Sequence, residues 1–424
     1  MRKFTQTLGL IALAATATFT SCKKDSTTNP SGITKEYVIK DVTVNGTTYT
    51  QVQGTINENY TFTASKNWLL SGGVFVKDGS TLTIEAGTQI KAADDGATAF
   101  LAIAQGGKIN AVGTAAKPIV FSTVKANPAP GDWGGIIING RATINVAGGS
   151  AQGEGGTGTY GGQDDADNSG TLSYIVVKYA GRILGTDNEL NGFSFNGVGS
   201  GTSASYLQAF RGADDGFEFF GGTVNVRYLV STGNHDDSFD WTQGWRGNGQ
   251  FMVAVQHTDK GDRCIEADNN ADDNAATPFS EPTLSNLTLI SVDDGDQRNT
   301  GMRLRAGTKA HIYNAITVNS LKAGVRVTDQ TPSTQTADNM ADGSLSVKST
   351  ISVSVGTAWD GCDKFMNDAT NSVTDVSFLN GYVGTYSGTE TTDPSTLGTW
   401  FNSANYMGAV TTADNWVEGW TSTL

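Results

Sequence analysis

Three short segments in the middle of the chain hold its most suggestive chemistry. They read Asp214-Asp-Gly-Phe-Glu-Phe219, Asp236-Asp-Ser-Phe-Asp-Trp241 and Asp262-Arg-Cys-Ile-Glu-Ala267, and they start 22 and then 26 residues apart. In each, one acid follows another by four residues, with an apolar residue just before the second. Side chains alternate across a strand, so strands on consecutive coils would place Phe217, Phe239 and Ile265 on one side. Glu218, Asp240 and Glu266 then form a ladder on the other, and Asp214, Asp236 and Asp262 form a second ladder beside it. Neighbouring strands lie about 4.8 Å apart, a distance at which stacked carboxylates repel. A bound cation, raised pKa values or the basic side chains of Arg211, Arg263, Arg303 and Arg305 would offset that repulsion. Hard oxygen ligands without thiolate or paired histidine point to Ca2+ rather than a transition metal, although the spacing is not that of an EF-hand.

The same residues have plainer uses. Asp-Asp-Gly and Asp-Asp-Ser are ordinary turn formers. Such pairs recur at Asp94-Asp95, Asp164-Asp165, Asp272-Asp273 and Asp293-Asp294, which favours a turn role for most copies. Two catalytic arrangements are also conceivable. A Ca2+-dependent polysaccharide lyase would use Arg263 or Lys260 as base, and a hydrolase would use Glu218 and Asp240 as its acid–base pair. Neither has a distinctive signature here. His235, His257 and His311 are scattered, and no nucleophile elbow is visible, so no catalytic residue is assigned. Gly153, Gly155 and Gly158 spell GxGxxG without a preceding strand or following helix, which excludes the dinucleotide reading.

The elements that must position these acids are strands. Short apolar runs alternate with Gly/Asn/Asp/Thr turns, and no stretch sustains a helical period. The runs at Leu82, Leu101, Ile119 and Ile136 stand 19, 18 and 17 residues apart, an interval that suits one coil of a solenoid. The phrases Gly79–Thr88 and Gly106–Thr114 look like rungs of a right-handed parallel β-helix. Residues 148–170 form a Gly-rich insertion, and 331–344 read as another loop. Trp400, Phe401, Tyr406, Trp416 and Trp420 crowd the end, as an aromatic cap over the open last rung would require.

Net charge is −14, and only 17 % of residues are charged. Bulk charge of that sign disfavours nucleic acid and anionic lipid. At the N-terminus, basic Arg2 and Lys3 precede the apolar run Leu8–Phe19 and then Thr20-Ser21-Cys22. This resembles a bacterial lipoprotein signal, in which Cys22 is acylated and becomes the mature N-terminus; loss of Arg2 and Lys3 then takes the charge to −16. Lys23-Lys24-Asp25 resembles the charged leader of surface-exported lipoproteins. Cys264 and Cys362 would be the only mature thiols besides Cys22, and the sequence leaves their pairing open.

The runs Gly131–Gly140, Asn188–Thr202, Asp214–Val224 and Asn415–Trp420 resemble a family of Bacteroidetes outer-membrane lipoproteins with a right-handed parallel β-helix. The resemblance covers nearly the whole mature chain. It implies an outer-membrane location, facing the cell surface or alternatively the periplasm, and possible service to a TonB-dependent transporter. It supplies no catalytic residues. The reading is therefore a signal peptide over 1–21, a lipid-anchored Cys22 with a tether to residue 50, an all-β solenoid over 51–398 and an aromatic cap over 399–424. The expected function is binding of a glycan or another extracellular ligand, with Ca2+ as a possible cofactor. A β-helix carbohydrate-active enzyme and a structural or adhesive surface protein are the alternatives.

Overall fold

Short β-branched and aromatic runs cannot bury both faces alone, and in this chain they do so by stacking coil upon coil. The computed structural model describes residues 34–186, 188–258, 260–292 and 299–423. The signal segment, Cys22 and the Asp293-Asp294 pair lie outside the described residues. Among the described residues, twenty-four strands join one continuous sheet. Its pairings are parallel except for the opening hairpin, Glu36–Val44 with Thr47–Ile56. The sheet wraps around an axis as a right-handed parallel β-helix.

Each central coil contributes one short strand and one long strand. The short strands Phe193–Val198, Phe217–Gly222, Phe239–Thr242, Arg263–Ala267, Thr300–Leu304, Ala323–Val327 and Thr357–Asp360 pair in order and make one wall. The long strands, from Gly170–Lys178 to Leu345–Ser354, bend midway. The bend falls on Tyr174, Tyr206, Tyr228, Phe251, Asn286, Asn314 and Ser349, all left-handed with φ between 50° and 60°. Such backbone costs roughly 1–3 kcal/mol per residue unless its surroundings hold it. Here Tyr174, Tyr206, Tyr228 and Phe251 stack at 4.3, 4.3 and 4.9 Å, which repays part of that cost. The interior is a matching ladder. Phe193, Phe217 and Phe239 stack at 5.1 and 5.5 Å, and all are fully buried.

Several expectations change in detail. The 17–19-residue interval joins strands on different walls. Leu82 is in register with Ile109, and Leu101 with Val74 and Ile136. Several short strands per coil each place an apolar run inward, so the runs recur faster than the coils do. The tether expected up to residue 50 gives way to strand at Glu36, because Tyr37 and Val52 are already buried in the core. Residues 331–344 hold a helix, Gln335–Asp342. Asn339 there donates to the Gly307 and Thr308 carbonyls, and Gly343 at φ 92° ends it.

The aromatic C-terminal segment covers the flank of the solenoid rather than its open end. Trp416 and Trp420 meet the tyrosine stack edge-on. Asn286 and Asn314, from the same left-handed ladder, donate to the carbonyls of Tyr406 and Thr392. The last coil is covered instead by Phe365 of the short helix Asp363–Met366. Cys264 and Cys362 are both buried free thiols.

Candidate functional site

The wall of short strands places Glu218, Asp240 and Glu266 in register, as the sequence spacing predicts. The ladder is longer than those three. Its outward positions run Ser194, Glu218, Asp240, Glu266, Arg303, Arg326 and Asp360. Phe217, Phe239 and Ile265 point inward and fix the strands against the core. Just before each strand the chain turns, and the turns stack as well. Asp215 Oδ1 accepts from the Asp237 N–H at 2.8 Å, and Asp237 Oδ1 from the Arg263 N–H at 2.7 Å. One oxygen of each aspartate thus ties one coil to the next. The turn role and the candidate-ligand role meet in the same residues.

The result is a cleft of about 480 Å³ lined by ten carboxylates and three cations. Glu154, from the 3-10 turn Glu154–Gly156 in the Gly-rich insertion, and Glu189 join the six expected acids, together with Asp215 and Asp237. The Gly155 N–H donates to Asn188 Oδ1 at 2.7 Å, which brings that insertion to the rim.

The cations are distributed unevenly. Arg263 Nη1 lies 2.8 Å from Asp262, 3.0 Å from Glu266 and 3.4 Å from Asp237. Arg305 bonds Glu266 at 2.6 Å and Asp268 at 2.7 Å, and Arg303 Nη1 reaches Glu266 at 3.4 Å. Asp262 and Glu266 are therefore ion-paired, whereas no ion pair reaches Asp214, Asp215, Glu218 or Asp240 among the described residues. Arg263, expected as a binding residue and as a candidate base, is held by three carboxylates. Burial alone would lower its pKa, but Asp237, Glu266 and Asp262 raise it above the ordinary value, which works against a role as base. Arg211 stands at the end of the Ser203–Phe210 strand and does not line the cleft, because its left-handed backbone (φ 57°) ends the strand there. Lys260 lines the cleft and is exposed.

Among the described residues, two groups of three carboxylates converge without an arginine: Asp214, Asp215 and Asp236, and Asp215, Glu218 and Asp240. In each the oxygens lie within 4.8 Å of one another. Asp215 belongs to both. Burial, reinforced by Asp214 and Asp237, pushes the Asp215 carboxyl well above its ordinary range. Burial with Glu154 and Asp240 does the same to Glu218. Asp240 is raised by burial and by Glu266, and Asp214 reaches about 8 through burial and Asp236. Burial likewise takes Glu154 to about 7. Glu218 Oε2 accepts from Asn191 Nδ2 at 2.6 Å, whereas Asp240 Oδ1 is enclosed with no hydrogen-bond partner among the described residues. Crowded carboxylates, one with an unanswered oxygen, suit a hard divalent cation such as Ca2+. Asp215, Glu218 and Asp240 would hold it, with Asp214 and Asp236 alongside.

A family model described as a pectate-lyase-like β-helix domain matches residues 54–421. No curated protein and no solved structure matches the chain.

Proposed function

The chain belongs to the pectate-lyase-like β-helix family, and on that premise we propose that it is an exported lipoprotein whose acidic cleft binds Ca2+ and, through it, an anionic glycan. One observation supports this reading above the others. Asp215, Glu218 and Asp240 converge within 4.8 Å with no arginine among them in the described residues, while Asp237, Asp262 and Glu266 are already ion-paired. A cation held there keeps open coordination positions for a ligand carboxylate, since Ca2+ takes six to eight oxygens. Binding without turnover fits best, because Arg263 is locked by its ion pairs. Acylation of Cys22 at the outer membrane belongs to the same proposal, and mass spectrometry of the N-terminal peptide tests it.

The test of function is binding of polygalacturonate, with neutral xylan as control, in Ca2+ and in EDTA. The proposal expects Ca2+-dependent binding of the acidic polymer, lost in Asp215→Asn, with no unsaturated product absorbing in the ultraviolet. Equal binding in EDTA would refute the cation's role. Steady release of unsaturated sugar would replace binding by a lyase activity.

A further inference from the structure

A second wall of the coil carries an arginine that no carboxylate answers among the described residues. Arg227 stands on the Asn225–Thr232 strand, in register between Ser205 and Gln250. Its guanidinium carbon lies 4.0 Å from the centre of the Trp400 ring. Nη1 makes one long bond, 3.4 Å, to Asn402 Oδ1, and Nε is enclosed without a hydrogen-bond partner among the described residues. In a chain with 42 acids and 28 lysines and arginines, Arg141, Arg246, Arg263, Arg303, Arg305 and Arg326 all reach a carboxylate. Among the described residues no carboxylate pairs with Arg227; burial lowers its pKa, with the phenols of Tyr228 and Tyr206 acting against that.

Beside Arg227 is a cleft of about 400 Å³, within the range of small-ligand sites. Ser203, Ser205 and Asn225 supply hydroxyl and amide groups, Tyr206, Tyr228 and Trp400 supply aromatic surface, and no acidic side chain lines it. A guanidinium matches carboxylate and sulfate oxygens through its fork of donors, and a partly desolvated one binds them more strongly than an exposed one. Hydroxyl and amide groups next to aromatic surface suit a sugar, which has polar edges and apolar ring faces.

We propose that Arg227 and the groups around it form a second ligand site, separate from the acidic cleft, for a sugar bearing a carboxylate or a sulfate. The anionic group sits on Arg227, and the ring lies among Trp400, Ser203 and Ser205. The plain alternative is that Arg227 only clamps the C-terminal segment through Trp400.

Calorimetric titration of the full chain in EDTA, which leaves the acidic cleft without its cation, separates these readings. The probes are trigalacturonate, a sulfated chondroitin disaccharide and neutral cellotriose. The proposal expects at least one anionic probe to bind and cellotriose not to, and the tighter of the two identifies the anion. Arg227→Gln weakens binding at least tenfold, and Glu218→Gln leaves it unchanged. Because Arg227→Gln also removes a contact to the C-terminal segment, Ser203→Glu is the second variant. It sets a carboxylate in the cleft from an exposed position and abolishes binding with an unchanged melting temperature. Failure of both anionic probes to bind the unmodified chain overturns the proposal, as does binding that survives Arg227→Gln or Ser203→Glu.

Discussion

Glu218→Gln should stabilise the cation-free protein at pH 8, against the usual expectation for a change in a site. Glu218 has two like-charged neighbours, Asp215 and Asp240, with oxygens within 4.8 Å. At an effective dielectric of about 20, each such pair costs roughly 3.5 kcal/mol when both are ionised. Taking up a proton avoids the repulsion, but holding it at pH 8 on a group that ionises near 4.5 when unfolded costs about 5 kcal/mol. By either route the glutamate costs several kcal/mol, and an amide of the same shape removes that cost. Gln also keeps the bond from Asn191, since its carbonyl accepts as the carboxylate does. The expected gain is about 3–5 kcal/mol in EDTA at pH 8, seen as a rise of several degrees in melting temperature.

The pH dependence has a definite sign. A carboxyl raised in the folded state contributes stability that is complete below its unfolded pKa and is lost as pH climbs through its folded value. Glu218 is raised well above the ordinary value, so the advantage of the variant is absent near pH 4.5 and grows towards pH 8. Asp214, at about 8, and Glu154, at about 7, make the unmodified cation-free protein lose stability over the same window. Bound Ca2+ should compete with these protons and reverse the order at pH 8, with the unmodified protein gaining more than the variant. Differential scanning fluorimetry across pH 4.5–8, in EDTA and in millimolar Ca2+, measures all of this. A variant less stable in EDTA at every pH would mean that Glu218 carries no like-charge strain in the folded protein.

Other consequences follow from the same geometry. Arg263→Gln strands Asp237, Asp262 and Glu266 without their shared cation and should destabilise by about 3–5 kcal/mol in urea melts, an effect smaller at pH 5 than at pH 8. Phe217→Ala opens the interior stack between Phe193 and Phe239 and should cost about 3–5 kcal/mol at all pH values and cation concentrations. Trp420→Ala removes the edge contacts to Tyr174 and Tyr206; hydrogen exchange should accelerate in residues 400–423 while the Phe217–Gly222 strand stays protected.

The strand wall and its carboxylate ladder are legible in the sequence because they depend on a two-residue alternation repeated at rung spacing. Phe217, Phe239 and Ile265 carry that signal, and Glu218, Asp240 and Glu266 follow from it. Asp215 and Asp237 escape the same rule. By parity they belong with the inward residues, but the strands begin at Phe217 and Phe239, and in the turns before them alternation no longer governs direction. Glu154 and Glu189 reach the cleft from the insertion and a distant hairpin, so no local pattern marks them. The neutralising arginines were visible as residue types. Arg303 stands on the ladder itself, Arg305 lies beyond its strand, and Arg211 ends a strand of another wall, so only the coil register separates them. The flank position of the C-terminal aromatics follows from the left-handed tyrosine ladder, which spacing alone does not reveal because Phe, Asn and Ser take the same corner in later coils.

Asp215 is the pivot of the proposed Ca2+ site. Isothermal titration of Ca2+ into the full chain at pH 8, beside Asp215→Asn, tests it most directly. Binding should be saturable and at least tenfold weaker in the variant, with protons released on binding at pH 7 as the raised carboxyls ionise. No saturable binding, or equal affinity in the two proteins, would contradict it.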